Sequence, residues 1–221
     1  MIIVFDLDEV LYDEKTFVKS GFHAVARHLD KNKLIPLKTS LRFLNKRLGI
    51  NRTNVFDDLL KEHGIFTKKK LQKCISVYRT HKPRIKVFPE IEECLKKFKE
   101  YPIYIVTDGN KLVQKNKIKA LKLEKKIKCY MLTSNYKLKN AKPSPYCFLK
   151  ICDLENVKPN DVVYVGDDPN KDFVGIKPLG FKTIRVLKGK YKKLLKPKKF
   201  EAHMKINSLK EFNPQMLEKI S

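Results

Sequence analysis

Short apolar runs and helical stripes alternate along most of the chain. Met1 to Asp6 is apolar without alternation and stops at an acidic cluster, the pattern of a central parallel strand buried on both faces. Ile103 to Val106, Tyr130 to Leu132, Val162 to Val165 and Thr183 to Val186 repeat that signal in β-branched or aromatic residues. Helical patterns separate most of these runs. Ile91, Leu95 and Phe98 follow Pro89, Leu112, Ile118 and Leu121 form a second stripe, and Tyr146, Leu149 and Ile151 form a third, entered through Pro143 and Pro145. Such alternation predicts an α/β fold, a parallel sheet with right-handed helical crossovers.

The block from about Asp13 to Arg84 shows helical periodicity and no convincing strand. Phe17, Phe22, Val25, Ala26 and Leu29 share one face, and Leu37, Leu41, Leu44 and Leu48 recur at helical spacing before Gly49, a C-terminal cap. Val55, Phe56, Leu59 and Leu60 precede Gly64. Thr67 is then the N-cap of a fourth helix carrying Leu71, Ile75 and Tyr78 until Pro83 closes it. These stripes predict a small helical bundle inserted into the α/β unit, with a core of residues 1–12 and 86–221 and a helical insert of residues 13–85.

Composition narrows the class. With 221 residues, 42% apolar, 8 Gly and 11 Pro, the chain has enough apolar material for a sizeable core and is not low in complexity. No stretch reaches the ~18 apolar residues of a membrane helix and MIIVF is short for a signal-peptide core, so the expectation is a cytoplasmic protein with no membrane partner. The formal charge of +25 suits a polyanion, but the cations are mostly Lys and are spread over every segment, which a lysine-rich composition explains without nucleic acid. The densest run, Lys188 to Lys199, reads as a solvated loop. Cys74, Cys94, Cys129, Cys147 and Cys152 are odd in number and form no CxxC pair, so reduced, mostly buried thiols are expected and zinc is not.

In open parallel sheets, ligands bind beyond the carboxyl ends of the strands. Here those ends are polar: Asp6-Leu7-Asp8 after the first run, Thr107-Asp108-Gly109-Asn110 after the second, and Gly166-Asp167-Asp168 after the fourth, with Asp172 beyond. Carboxylates from separate strands would repel one another in a partly desolvated cleft without a cation. Oxygen-only ligands favour Mg²⁺, which keeps several waters and takes one or two carboxylates plus substrate phosphate.

These residues, in this order, resemble the haloacid dehalogenase superfamily. Its DxDx(T/V) signature is matched by Asp6-Leu7-Asp8-Glu9-Val10, its second-motif Thr by Thr107, its third-motif Lys by Lys142 before Pro143, and its fourth motif by Gly166-Asp167-Asp168-Pro169-Asn170-Lys171-Asp172. The resemblance spans nearly the whole chain and implies a Rossmann-like core with a helical cap between motifs one and two. It implies phosphoryl transfer through an aspartyl-phosphate on Asp6, with Asp8 as acid and base. Lys142 would bridge Asp6 and phosphate, and Thr107 with the backbone of Asp108 and Gly109 would cradle the phosphoryl oxygens. Mg²⁺ would sit on Asp6, Asp167 and the backbone carbonyl of Asp8, with Asp172 holding a metal-bound water. Dehalogenases of the family lack the second aspartate, so Asp8 points to a phosphatase of a small phosphorylated metabolite, a sugar phosphate or nucleoside monophosphate. A phosphomutase uses the same groups and is the alternative; a basic nucleic-acid-binding protein reusing the fold is the second. In caps of this type the loop between the second and third helices commonly reaches the site, making Arg52 the candidate substrate reader. The second motif departs from the family form: Asp108 stands where Asn is usual, and its extra charge is costly near phosphate unless it points away.

Overall fold

The computed structural model describes residues 1–48 and 54–220. Two compact units emerge, one of residues 1–13, 86–114 and 121–221, the other of residues 14–85 and 115–120.

The first unit is built on a six-stranded, wholly parallel sheet in the order β3-β2-β1-β4-β5-β6. Its strands are β1 (Ile2–Phe5), β2 (Ile103–Thr107), β3 (Cys129–Leu132), β4 (Val162–Gly166), β5 (Lys182–Val186) and β6 (Met204–Ile206). Five match runs legible in the sequence. The sixth is three residues at the sheet edge with one of them buried, too short for any periodicity to register. Strands β1, β2 and β4 are buried at every position, as their unbroken apolar sequences require. On one face Ile2, Val4, Tyr104 and Tyr164 pack with Phe148 and Ile151 of a helix over Tyr146–Glu155. On the other, Phe5 meets Phe212 edge-on at 6.2 Å, and Phe212 stacks on Phe98 at 4.4 Å.

β1 lies between β2 and β4 in register, Phe5 being level with both Ile105 and Val165. The strand order therefore reverses at β1, and the carboxyl ends of β2, β1 and β4 adjoin one another. Beyond β5, the basic stretch is anchored from inside: Arg185, 1% exposed, donates to both carboxylate oxygens of Glu201 and to the carbonyls of Tyr191 and Leu194. Lys188 pairs with Glu90 at 2.6 Å and lies over the Phe88 ring.

The second unit contains α1 (Glu14–Lys31), α2 (Leu37–Lys46), α3 (Val55–Glu62) and α4 (Lys68–Thr80). Val25, Leu29, Leu44, Leu59 and Leu60 form its core with Phe22, whose ring meets Phe56 and Tyr78. Thr67 caps α4 by accepting from the Lys70 amide at 3.1 Å. The helix ends at Thr80, three residues before Pro83. The remaining helices are α5 (Ile91–Lys97), α6 (Lys111–Ala120), α7, which is Tyr146–Glu155, and α8 (Pro214–Lys219). The last six residues of α6 group with the helical unit. Cys74, Cys94, Cys147 and Cys152 are buried free thiols, while Cys129 is exposed. Among the described residues no helix is long and apolar enough to cross a membrane.

Candidate active site

Asp6 follows β1 directly, and its amide donates to the Val165 carbonyl at 2.9 Å, continuing the sheet ladder by one residue. Alternation puts its side chain on the same face as Val4, which is level with Tyr164. On that face Lys142 completes a buried cluster. Its ammonium lies 3.1 Å from Asp6 Oδ1, 2.9 Å from Asp172 Oδ1 and 2.8 Å from the Tyr164 hydroxyl. An ammonium has three donors, so Lys142 is fully satisfied although buried. Burial disfavours its charge, but Asp172 and Asp6 outweigh that and hold its pKa well above the ordinary lysine value.

Asp172 serves the loop after β4. Its Oδ2 accepts from the amides of Asp167 at 3.0 Å and Asp168 at 2.9 Å, and its Oδ1 accepts from Tyr164. Both oxygens are thus engaged, so Asp172 shapes the turn carrying Asp167 and seats Lys142. Gly166 is required for this closeness: a Cβ there would stand 2.5 Å from Asp172 Oδ2. Gly175 does the same for the other wall, where a Cβ would lie 1.7 Å from the Pro143 carbonyl oxygen, next to Lys142.

Asp6, Asp167 and Asp172 bring ligand atoms within 4.8 Å of one another, and all three are buried. Burial, then Asp172 and Asp6, push the Asp167 carboxyl up to about 9, and its side chain has no hydrogen bond or ion pair among the described residues. Burial also raises Asp6, against the pull of Lys142, to about 6. An unsupported buried carboxylate beside two others is a poor resting state for a protein near neutrality. It is a good one for a hard divalent cation, which the all-oxygen donor set fits.

The remaining site residues gather around this cluster. Thr107, at the end of β2, accepts from Gln114 Nε2 at 2.7 Å, and the same nitrogen donates to Asp8 Oδ2 at 2.9 Å. Asp8 Oδ1 accepts from the Tyr12 hydroxyl. Asp108 points away from the carboxylates: its Oδ1 accepts from Thr133 at 2.8 Å and from the Lys142 amide at 3.1 Å, and its Oδ2 pairs with Lys171 at 2.9 Å. Burial raises this carboxyl, but Lys142 and Lys171 outweigh it, so Asp108 titrates below its ordinary value. The aspartate that departs from the family form is therefore a strap between the loops after β2 and β3. Asp168 is a local turn former whose Oδ1 accepts from the amide and side chain of Asn170. Arg52 lies outside the described residues, as does Gly49.

The sequence assigned no role to Tyr164, Gln114 or Lys171. Tyr164 carried a usable signal, a hydroxyl inside an otherwise aliphatic strand that must find a buried partner. Gln114 carried none, being one polar residue among many, and Lys171 stood within the fourth motif without an assigned role.

A Lys-clamped carboxylate, a second aspartate nearby and an acidic cluster that fits a divalent cation thus stand together at the switch point of a parallel sheet. Residues 3–186 match the family model described as haloacid dehalogenase-like hydrolase, and the chain belongs to that family. Among curated proteins it is 30% identical over 198 residues to a glyceraldehyde 3-phosphate phosphatase of Methanocaldococcus jannaschii, covering 86% of each chain. To the protein of the same name from Pyrococcus furiosus it is 30% identical over 225 residues, covering 98% of this chain and 91% of the relative. Among solved structures it is similar to a 2-haloacid dehalogenase from Pseudomonas syringae, with a TM-score of 0.68, 20% identity and full coverage of both chains. That likeness speaks to the fold.

Proposed function

We propose that this phosphatase hydrolyses the monoester of a small phosphorylated sugar, a triose phosphate such as glyceraldehyde 3-phosphate first among them, through a phosphoryl group carried on Asp6. The observation that carries the reading is the Asp6–Lys142–Asp172 cluster. Lys142 holds Asp6 by Oδ1 alone, and the other oxygen has no partner among the described residues, which leaves it free to attack. The archaeal relatives support the triose substrate.

Asp6, Asp167 and the backbone carbonyl of Asp8 would hold Mg²⁺, which when bound neutralises phosphoryl oxygens that otherwise repel the attacking carboxylate. Lys142 adds a fixed positive charge on the same oxygens, and Thr107 with the amides of Asp108 and Gly109 receives the others. In the first step the Asp6 oxygen bonds to phosphorus as the ester P–O bond breaks, and Asp8 gives its proton to the departing sugar oxygen. In the second, Asp8, now a carboxylate, takes a proton from the water that attacks phosphorus, which frees inorganic phosphate and restores Asp6. The helical unit is the cap in this reading.

The test is a Mg²⁺-dependent phosphate-release screen over glyceraldehyde 3-phosphate, hexose phosphates, nucleoside monophosphates and phosphoglycolate, with Asp6→Asn as the blank. Preference for the triose and no release by the variant are expected. Equal release by Asp6→Asn refutes the nucleophile, and a preference for nucleotides refutes the substrate class.

A further inference from the structure

We infer that Gln114 is a positioning residue that aims Asp8 and the Thr107 hydroxyl together, an inference that rests on the reaction proposed above. Gln114 is 1% exposed and sits in the first turn of α6, where its amide donates to the Asn110 carbonyl at 3.0 Å. Its side-chain nitrogen spends one hydrogen on Asp8 Oδ2 and the other on Thr107 Oγ1. Facing a carboxylate, the amide must present its NH₂ and not its oxygen, so the orientation is set by chemistry.

Two consequences follow at the reacting atoms. Thr107 Oγ1 is an acceptor towards Gln114, so its own hydrogen must go elsewhere, and its only acceptor among the described residues is the Asp108 carbonyl at 3.5 Å, too distant to hold it. That hydrogen is thereby left to donate to a phosphoryl oxygen. Asp8 is gripped through both oxygens, by Tyr12 on one and Gln114 on the other, which fixes its reach towards the leaving oxygen. One side chain thus sets the register between the group that holds phosphate and the group that moves the proton. A single donor or an acceptor at 114 would leave one of these partners unserved, whereas the carboxamide NH₂ serves both.

The experiment compares Gln114→Met, which keeps the length and removes both donors, with Gln114→Glu, which keeps the shape and places an acceptor opposite Asp8. Substrates are glyceraldehyde 3-phosphate, whose alkoxide must be protonated to leave, and p-nitrophenyl phosphate, whose phenolate leaves without a proton. Pre-steady-state bursts isolate the first step, and circular dichroism establishes folding. Expected is a ~10- to 100-fold loss in the first-step rate on the sugar phosphate, the scale of a misplaced catalytic group. The loss on the aryl ester should be several-fold smaller, and inhibition by inorganic phosphate should weaken. In the Asp8→Asn background, Gln114→Met should add little, because the two act as a unit. If one variant does not fold, the other carries the measurement. Equal losses on both esters, full additivity with Asp8→Asn, or unchanged rates overturn the inference while leaving the parent reading intact. Absence of Mg²⁺-dependent release by the unmodified protein, or release by Asp6→Asn, overturns the parent reading and this with it.

Discussion

Asp167→Asn is expected to make the metal-free protein more stable, although it removes a residue from the site. Burial beside Asp172 and Asp6 raises the Asp167 carboxyl from 3.8 to about 9. Between those values the unfolded chain has released the proton and the folded chain has kept it, so the folded state binds more protons and stability falls as pH rises. The contribution is fully present below pH 3.8 and is lost progressively up to about pH 9. At pH 7 the gap from the unfolded value corresponds to ~4 kcal/mol at most, and sharing of the strain among three carboxylates brings the expected gain for Asn to about 2–4 kcal/mol. For a chain of this size that raises Tm by roughly 5–15 °C. Thermal melts in chelator should show a gain that grows from pH 5 to pH 8. Added Mg²⁺ should narrow or close the gap, stabilising the unsubstituted protein by ~2.7 kcal/mol at a hundredfold excess over Kd and leaving the variant unmoved. A variant that melts at or below the unsubstituted protein in chelator at pH 8, or a gain independent of pH, would refute the claim that this carboxylate waits for a cation.

Three other outcomes test the scaffold. Tyr164→Phe leaves Lys142 and Asp172 each one hydrogen bond short in a buried cluster, and urea titration should register a loss of about 1–2 kcal/mol with a several-fold lower kcat. Gly166→Ala forces a Cβ against Asp172, so the loop carrying Asp167 must shift; phosphate release should drop at least tenfold while circular dichroism reports an intact sheet, at a cost of ~1–3 kcal/mol. Arg185→Met strips the buried Glu201 of the Nη1 that serves both its oxygens and should cost about 3 kcal/mol by denaturant titration, because Lys205 remains on the carboxylate at 2.8 Å; adding Glu201→Gln should restore most of it.

What the chain settled by itself is local. Unbroken apolar runs ending in acidic or hydroxyl residues announce strands whose carboxyl ends carry chemistry, because a strand buried on both faces has no room for such groups until it leaves the sheet. That logic reaches Asp6, Asp8, Thr107 and Asp167, and the order of motifs adds Lys142. Helical spacing likewise delimits α1 to α4, and Thr67 marks its helix start because a capping hydroxyl acts on an amide only three residues away. Tertiary structure decided what depends on neighbours distant in sequence. Putting β1 between β2 and β4 makes four separate segments share one cleft, and no periodicity encodes strand order. Asp108 turns from a charge beside phosphate into a strap only because Thr133 and Lys171 are there to receive it. Asp172 is drawn to two loop amides and Lys142, and Gln114 reaches across 106 positions to Asp8. Such roles arise from hydrogen-bond partners supplied by the fold, and a polar residue on its own carries no mark of which partner it will meet.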